Sequence, residues 1–94
     1  MNHQHIRQKQ SGVMAATMDD QAVVMELASG RFFDLDAMGV VIWAMLEQPT
    51  TLNAIVSALL TKYEIDEATC TSEVTTFLTQ MESLSLIETQ SAPW

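Results

Sequence analysis

Few side chains in this chain are equipped for chemistry, and they are scattered. His3 and His5 offer two imidazoles close together, but no Cys, Asp or Glu follows before Asp19 to complete a ligand set. The single cysteine, Cys70, cannot form an internal disulfide and falls on an apolar helical stripe, where a thiol is a small core residue. The three glycines stand apart at 12, 30 and 39, so none belongs to a phosphate-binding loop. Two of the carboxylates, Asp36 and Asp66, stand where helices begin and serve as N-caps. No other pair is placed to act as acid and base. The reading is a non-enzyme with no cofactor and no metal. What remains is main-chain chemistry: the amide and carbonyl groups along Arg31-Phe32-Phe33-Asp34-Leu35-Asp36, a short strand able to pair with an extended peptide.

The elements around that stretch follow from hydrophobic period. Ala22–Ala28 alternates, with Val23, Met25 and Leu27 on one face and Glu26 on the other. Ser29-Gly30 is a turn signal. RFFDLD alternates again, placing Phe33 and Leu35 on one side and Phe32, Asp34 and Asp36 on the other. Val13–Met18 is a weaker first strand, joined to the hairpin by Asp19-Asp20. From Met38 the period becomes helical: Met38, Val41, Ile42, Met45 and Leu46 form one stripe, and Pro49 stops a helix predicted from 37 to 48. Gly39 costs about 1 kcal/mol relative to Ala in a helix, which implies close packing against the sheet. A second helix is predicted over 52–62, with Leu52, Ile55, Val56, Leu59 and Leu60 inward, and a third over 67–83, with Cys70, Val74, Phe77, Leu78, Met81 and then Leu84. Leu86-Ile87 closes the core. The seven methionines, several on these stripes, read as core filler.

The expected fold is therefore α+β: a three-stranded antiparallel meander followed by three helices. Residues 1–12 read as a flexible N-terminal tail, 13–88 as one domain and 89–94 as a C-terminal tail, with Pro93-Trp94 able to cover an apolar patch. With 94 residues, 48% of them hydrophobic, the chain has material for one modest core. The polar N-terminus carries no secretory signal, no apolar run approaches the roughly 20 residues that span a bilayer, and one cysteine suits a reducing compartment, so a cytoplasmic location is expected. Four Lys and Arg against twelve Asp and Glu give a net charge of -8, and two of the four, Arg7 and Lys9, lie in the N-terminal segment. Such a body neutralises few phosphates, which argues against nucleic acid and anionic membranes as partners.

The order Val23–Leu27, Ser29-Gly30-Arg31, Phe32-Phe33, Leu35-Asp36, Gly39, Ile42 and Trp43 resembles the PqqD-like family, whose members are also called RiPP recognition elements. Thr51-Leu52, Tyr63, Leu84 and Leu86-Ile87 extend the resemblance, which covers about residues 13–88. It implies a winged helix-turn-helix-like fold that binds the leader segment of a ribosomally synthesised precursor peptide. The leader adds as a strand to the third strand of the meander and leans on the third helix. The implied partners are that precursor peptide and a maturation enzyme, either the leader protease of a lasso-peptide system, which is favoured, or a radical-SAM enzyme of quinone cofactor biosynthesis. The implied contact residues are Arg31, Phe32, Phe33, Asp34, Leu35 and Asp36, with Val74, Phe77, Leu78 and Met81 from the third helix. The plainer reading of Phe33, Leu35 and the helix stripe is core. Phe32, alone on the opposite face, is a candidate surface for the partner enzyme. The competing class is a winged-helix DNA-binding regulator. Against it, the stretch TCTSEVTTFLTQMESLSL holds no Lys or Arg for phosphates or base edges.

Overall fold

The structure is a computed structural model and describes residues 4–94. Its strands are β1 (His5–Gln8), β2 (Val13–Met18), β3 (Gln21–Glu26), β4 (Phe32–Leu35) and β5 (Ile87–Gln90); its helices are α1 (Ala37–Met45), α2 (Leu52–Lys62) and α3 (Glu67–Ser83). β2, β3 and β4 form an antiparallel sheet in that order, and β1 pairs with β5 in a separate two-stranded sheet. The α+β expectation, meander first and three helices after it, is met.

Local chemistry sets the boundaries. Asp36 caps α1 by accepting the Gly39 N–H at 2.8 Å, Thr51 caps α2 through the Ala54 N–H, and Asp66 caps α3 through the Thr69 N–H. In the β3–β4 turn, the Glu26 carboxylate accepts the Ala28 and Ser29 N–H groups while Gly30 takes φ +72°, a conformation open to glycine. The Ser29 hydroxyl first, and after it the Ala28 and Ser29 N–H groups and the Arg31 charge, hold the Glu26 carboxyl below its ordinary range. α1 is shorter than its period suggests. Leu46 already caps it, because Pro49 disfavours helical backbone at Gln48.

One face of the sheet and the inward stripes of all three helices enclose the core. Val24, Ile42, Leu46, Ile55, Leu59, Val74, Leu78 and Leu86 are among its buried members. On β3 the inward residues are Ala22 and Val24, so the bulkier alternating set Val23, Met25 and Leu27 faces outward.

The reading of residues 1–12 as a flexible tail is corrected for His5–Gln8. Ile6 is fully buried, its N–H bonds the Thr50 carbonyl at 2.7 Å, and the Thr50 N–H returns to Ile6 at 2.8 Å. The Arg7 guanidinium bonds Glu88 at 2.8 Å and lies over the Trp94 ring, 4.0 Å from its centroid. One buried residue in a four-residue strand leaves no alternation to detect, and the partner strand lies some eighty residues away. For the same reason residues 89 and 90, expected in a C-terminal tail, belong to β5. Of the two histidines considered for metal, His3 lies outside the described residues and His5 sits in β1 opposite Gln90.

Candidate functional site

β4 is an edge strand. Its register against β3 pairs Ala22 with Leu35, Val23 with Asp34, Val24 with Phe33 and Met25 with Phe32. The Glu26 N–H donates to the Arg31 carbonyl at 2.8 Å, which makes that pair a hydrogen-bonded one. Antiparallel pairs alternate, so Arg31, Phe33 and Leu35 direct their peptide groups at β3. The N–H and C=O of Phe32 and Asp34 point away from the sheet. Further along, the Asp36 carbonyl already accepts the Val40 N–H. Of the stretch 31–36, Phe32 and Asp34 are thus the two residues that offer both their N–H and their C=O on the edge.

Beside this edge lies a cavity of about 610 Å³. Phe33, Asp34, Leu35 and Asp36 line it from β4 and the start of α1, Phe77 from α3, and Ala16, Met18, Gln21, Ala22 and Val23 from the neighbouring strands. Phe33 and Phe77 are both half-buried and meet edge to face. Gly39 explains how α3 comes so near: a Cβ there would lie 3.3 Å from the Phe77 ring, from the Leu35 Cβ and from Asp36 Oδ1. The close packing predicted for Gly39 is therefore against both β4 and α3.

The expected contact residues divide into two groups. Arg31, Phe32, Asp34 and Asp36 are exposed, and Phe33 and Phe77 half-exposed, all accessible to a ligand. Leu35 is buried, although it contributes to the cavity wall. Val74, Leu78 and Met81 are fully buried and present no surface in the free chain; they belong to the core, and Phe77 alone brings α3 to the cavity. A 3.6-residue stripe marks an inward helix face, but not which member lies at its open margin.

The outer face of the sheet carries a feature that sequence alone had only at Phe32. Cross-strand register aligns Met14, Met25 and Phe32 in one row, with Ala16 and Val23 beside it. Phe32 is 58% exposed and Met14 61%. The alternation of Ala22–Ala28 and of RFFDLD was the available signal for Val23, Met25 and Phe32, whereas β2 carries no alternation that would place Met14 and Ala16.

Side-chain chemistry is sparse here too. Cys70 is buried, and its thiol is pushed up by burial first and by Glu73, Asp66 and Glu67 after it, so it is held as the unreactive thiol. Among the described residues no three His, Cys, Asp or Glu side chains converge as a metal site, and no helix is long and apolar enough to cross a membrane. What the site offers is a half-paired strand edge beside an apolar cavity with carboxylates at its rim.

Comparison with known proteins gives a consistent picture. The family described as "Coenzyme PQQ synthesis protein D (PqqD)" matches residues 21–87. A solved structure described as "TbiB1 in Complex with the TbiA(beta) Leader Peptide" is 32% identical, covering 87% of this chain and 94% of that one with a TM-score of 0.79. A second, "Lasso peptide synthetase B1 complexed with the leader peptide", is 16% identical and shares the fold, covering 88% and 96% at a TM-score of 0.76. No curated protein matches the chain.

Proposed function

This chain belongs to the PqqD family, and from that membership we propose that it is a non-catalytic recognition protein: it binds the leader segment of a ribosomally synthesised precursor peptide by strand addition to β4 and delivers it to a maturation enzyme. The observation that carries the reading is the outward pair of peptide groups on Phe32 and Asp34, beside the Phe33–Phe77 cavity. Main-chain pairing to such an edge supplies affinity, and pockets for alternate side chains supply selectivity. The solved relative with 32% identity was captured with a leader peptide, which supports the same class of ligand here.

In this reading a leader lies along β4 in extended form. Its inward residues enter the cavity against Phe33 and Phe77, and its outward residues continue the sheet's exposed face. Phe32 and its neighbours Met25 and Met14 then form the surface nearest the bound peptide, suited to the maturation enzyme. We favour a leader protease of the lasso type as that enzyme, in keeping with the fold shared with a lasso peptide synthetase B1 chain. The description of the matching family keeps a second reading, a peptide chaperone for a radical-SAM enzyme of quinone cofactor synthesis. A DNA-binding role is disfavoured by α3, which carries no Lys or Arg.

Fluorescence polarisation with the labelled leader of the precursor encoded beside this chain tests the proposal. Saturable binding at roughly micromolar Kd or tighter is expected, weakened at least tenfold by Phe33→Glu. Absence of binding by the folded chain contradicts it. Pull-down of the neighbouring protease or radical-SAM protein, with and without leader, separates the two partner readings.

A further inference from the structure

Among the described residues, the charges at the β4 edge form no ion pair with one another or with the rest of the chain. Among the described residues the one ion pair is Arg7–Glu88, far from this site in sequence and in sheet. Among the described residues the Asp34 carboxylate has no hydrogen-bond partner, and its cross-strand neighbour on β3 is Val23. Asp34 and Asp36 both line the cavity, but Asp36 is engaged with the α1 N-terminus. At the other end of the strand the Arg31 guanidinium donates to the Ser29 hydroxyl at 3.3 Å, and its charge also acts on the Glu26 carboxylate, but it forms no ion pair among the described residues. The edge is therefore charged in order, a carboxylate at Asp34 with no partner among the described residues and a cation at Arg31 with no ion pair among them, with two phenylalanines between.

From this order we infer that the ligand strand carries a Lys or Arg and a carboxylate three positions apart, with two apolar residues between them. The inference rests on the proposed strand addition and names the class of peptide that the same edge selects. Residues directly opposite on neighbouring strands share a face, with Cβ atoms about 5 Å apart. The ligand residue opposite Asp34 stands on the outer face beside a lone carboxylate, where a cation gains and a second carboxylate is repelled. The residue opposite Phe33 points inward, into the cavity against Phe77. The residue opposite Phe32 points outward and prolongs the apolar row of Met14, Met25 and Phe32. The residue opposite Arg31 meets a guanidinium. Parallel or antiparallel addition reverses the reading direction of this pattern without changing its spacing. With a net charge of -8, the chain as a whole favours the approach of a cationic segment.

Panning a displayed library of random decapeptides on the immobilised full chain tests the pattern. Enriched peptides should carry the cation, two apolar residues and the carboxylate in that spacing. Binding of a synthetic peptide from the enriched set should weaken about three- to fivefold when its cation becomes Gln, an opposite-charge cross-strand pair being of that order. Panning against Asp34→Lys should select a carboxylate where the wild type selects a cation, and Asp34→Asn should remove the preference; circular dichroism checks that both variants are folded. Enrichment of apolar peptides with no charge preference, or a preference that Asp34→Lys leaves unchanged, overturns this inference while leaving strand addition standing. No enrichment above the starting library overturns strand addition itself.

Discussion

Phe33 of β4 and Phe77 of α3 stand edge to face, with ring centroids 5.6 Å apart and planes inclined at 85°. Such a pair is worth about 0.5–1.5 kcal/mol beyond the area it buries. Here it also joins the one accessible position of the α3 stripe to the strand edge. The two rings are only half-buried, so the pair sits at the boundary between core and cavity.

That boundary separates two kinds of substitution. Phe77→Ala is expected to lower leader affinity tenfold or more, at a stability cost below the about 3–5 kcal/mol of a fully buried phenylalanine. Leu78→Ala, one residue on and fully buried, should cost about 2–5 kcal/mol of stability while the folded fraction binds leader with unchanged Kd. Urea unfolding and fluorescence polarisation on both variants check the contrast.

Gly39→Ala gains about 1 kcal/mol in helix propensity and places a methyl group 3.3 Å from the Phe77 ring, the Leu35 Cβ and Asp36 Oδ1. The Leu35 backbone and the cap are fixed, whereas the ring borders open space. The expected outcome is a stability change within about 1 kcal/mol, with Phe77 displaced toward the cavity and leader affinity reduced several-fold. Denaturant midpoints and binding on the same variant measure the two effects separately.

Removing residues 1–8 deletes the buried Ile6 and its two bonds to Thr50. Ile6→Ala alone should cost about 2–5 kcal/mol, and the truncation at least as much. A thermal melt unchanged by either alteration contradicts the role given to β1.

Bonds from the Thr69 N–H and then the Thr69 hydroxyl hold the Asp66 carboxyl below its ordinary range. The unfolded chain therefore takes up this proton before the folded one does. The contribution of the cap is fully present above the unfolded value, near pH 4, and is lost as pH falls through the lower folded value. Asp66→Asn, which retains a capping oxygen, should flatten part of the stability loss as pH falls from about 4 through the lower folded value. Urea midpoints across that range read the difference.

Much of this fold is written in local signals. The weak strand Val13–Met18, the alternation in Ala22–Ala28, the Ser29-Gly30 turn, the caps Asp36, Thr51 and Asp66, and the stripes of α2 and α3 all rest on neighbours a few residues apart, and each is met by a strand, turn or helix at that place, with β3 ending at Glu26. β1 and β5 were not legible, because Ile6 gains its burial from residues forty to eighty positions away and its flanks are polar. The site was half legible. Periodicity identified the stripe Val74, Phe77, Leu78 and Met81, but only packing separates Phe77 from the three buried members. Likewise, strand order identified β4 as an edge, whereas the assignment of free peptide groups to Phe32 and Asp34 needed the hydrogen-bond phase set by Glu26 and Arg31.

That phase gives the most direct test. Residue-resolved amide hydrogen exchange on the free chain should show fast exchange at Phe32 and Asp34 and slow exchange at Phe33 and Leu35. On addition of saturating leader, Phe32 and Asp34 should become protected while Phe33 and Leu35 change little. Protection of Phe32 and Asp34 in the free monomer, or their continued fast exchange with leader demonstrably bound, would contradict strand addition at β4.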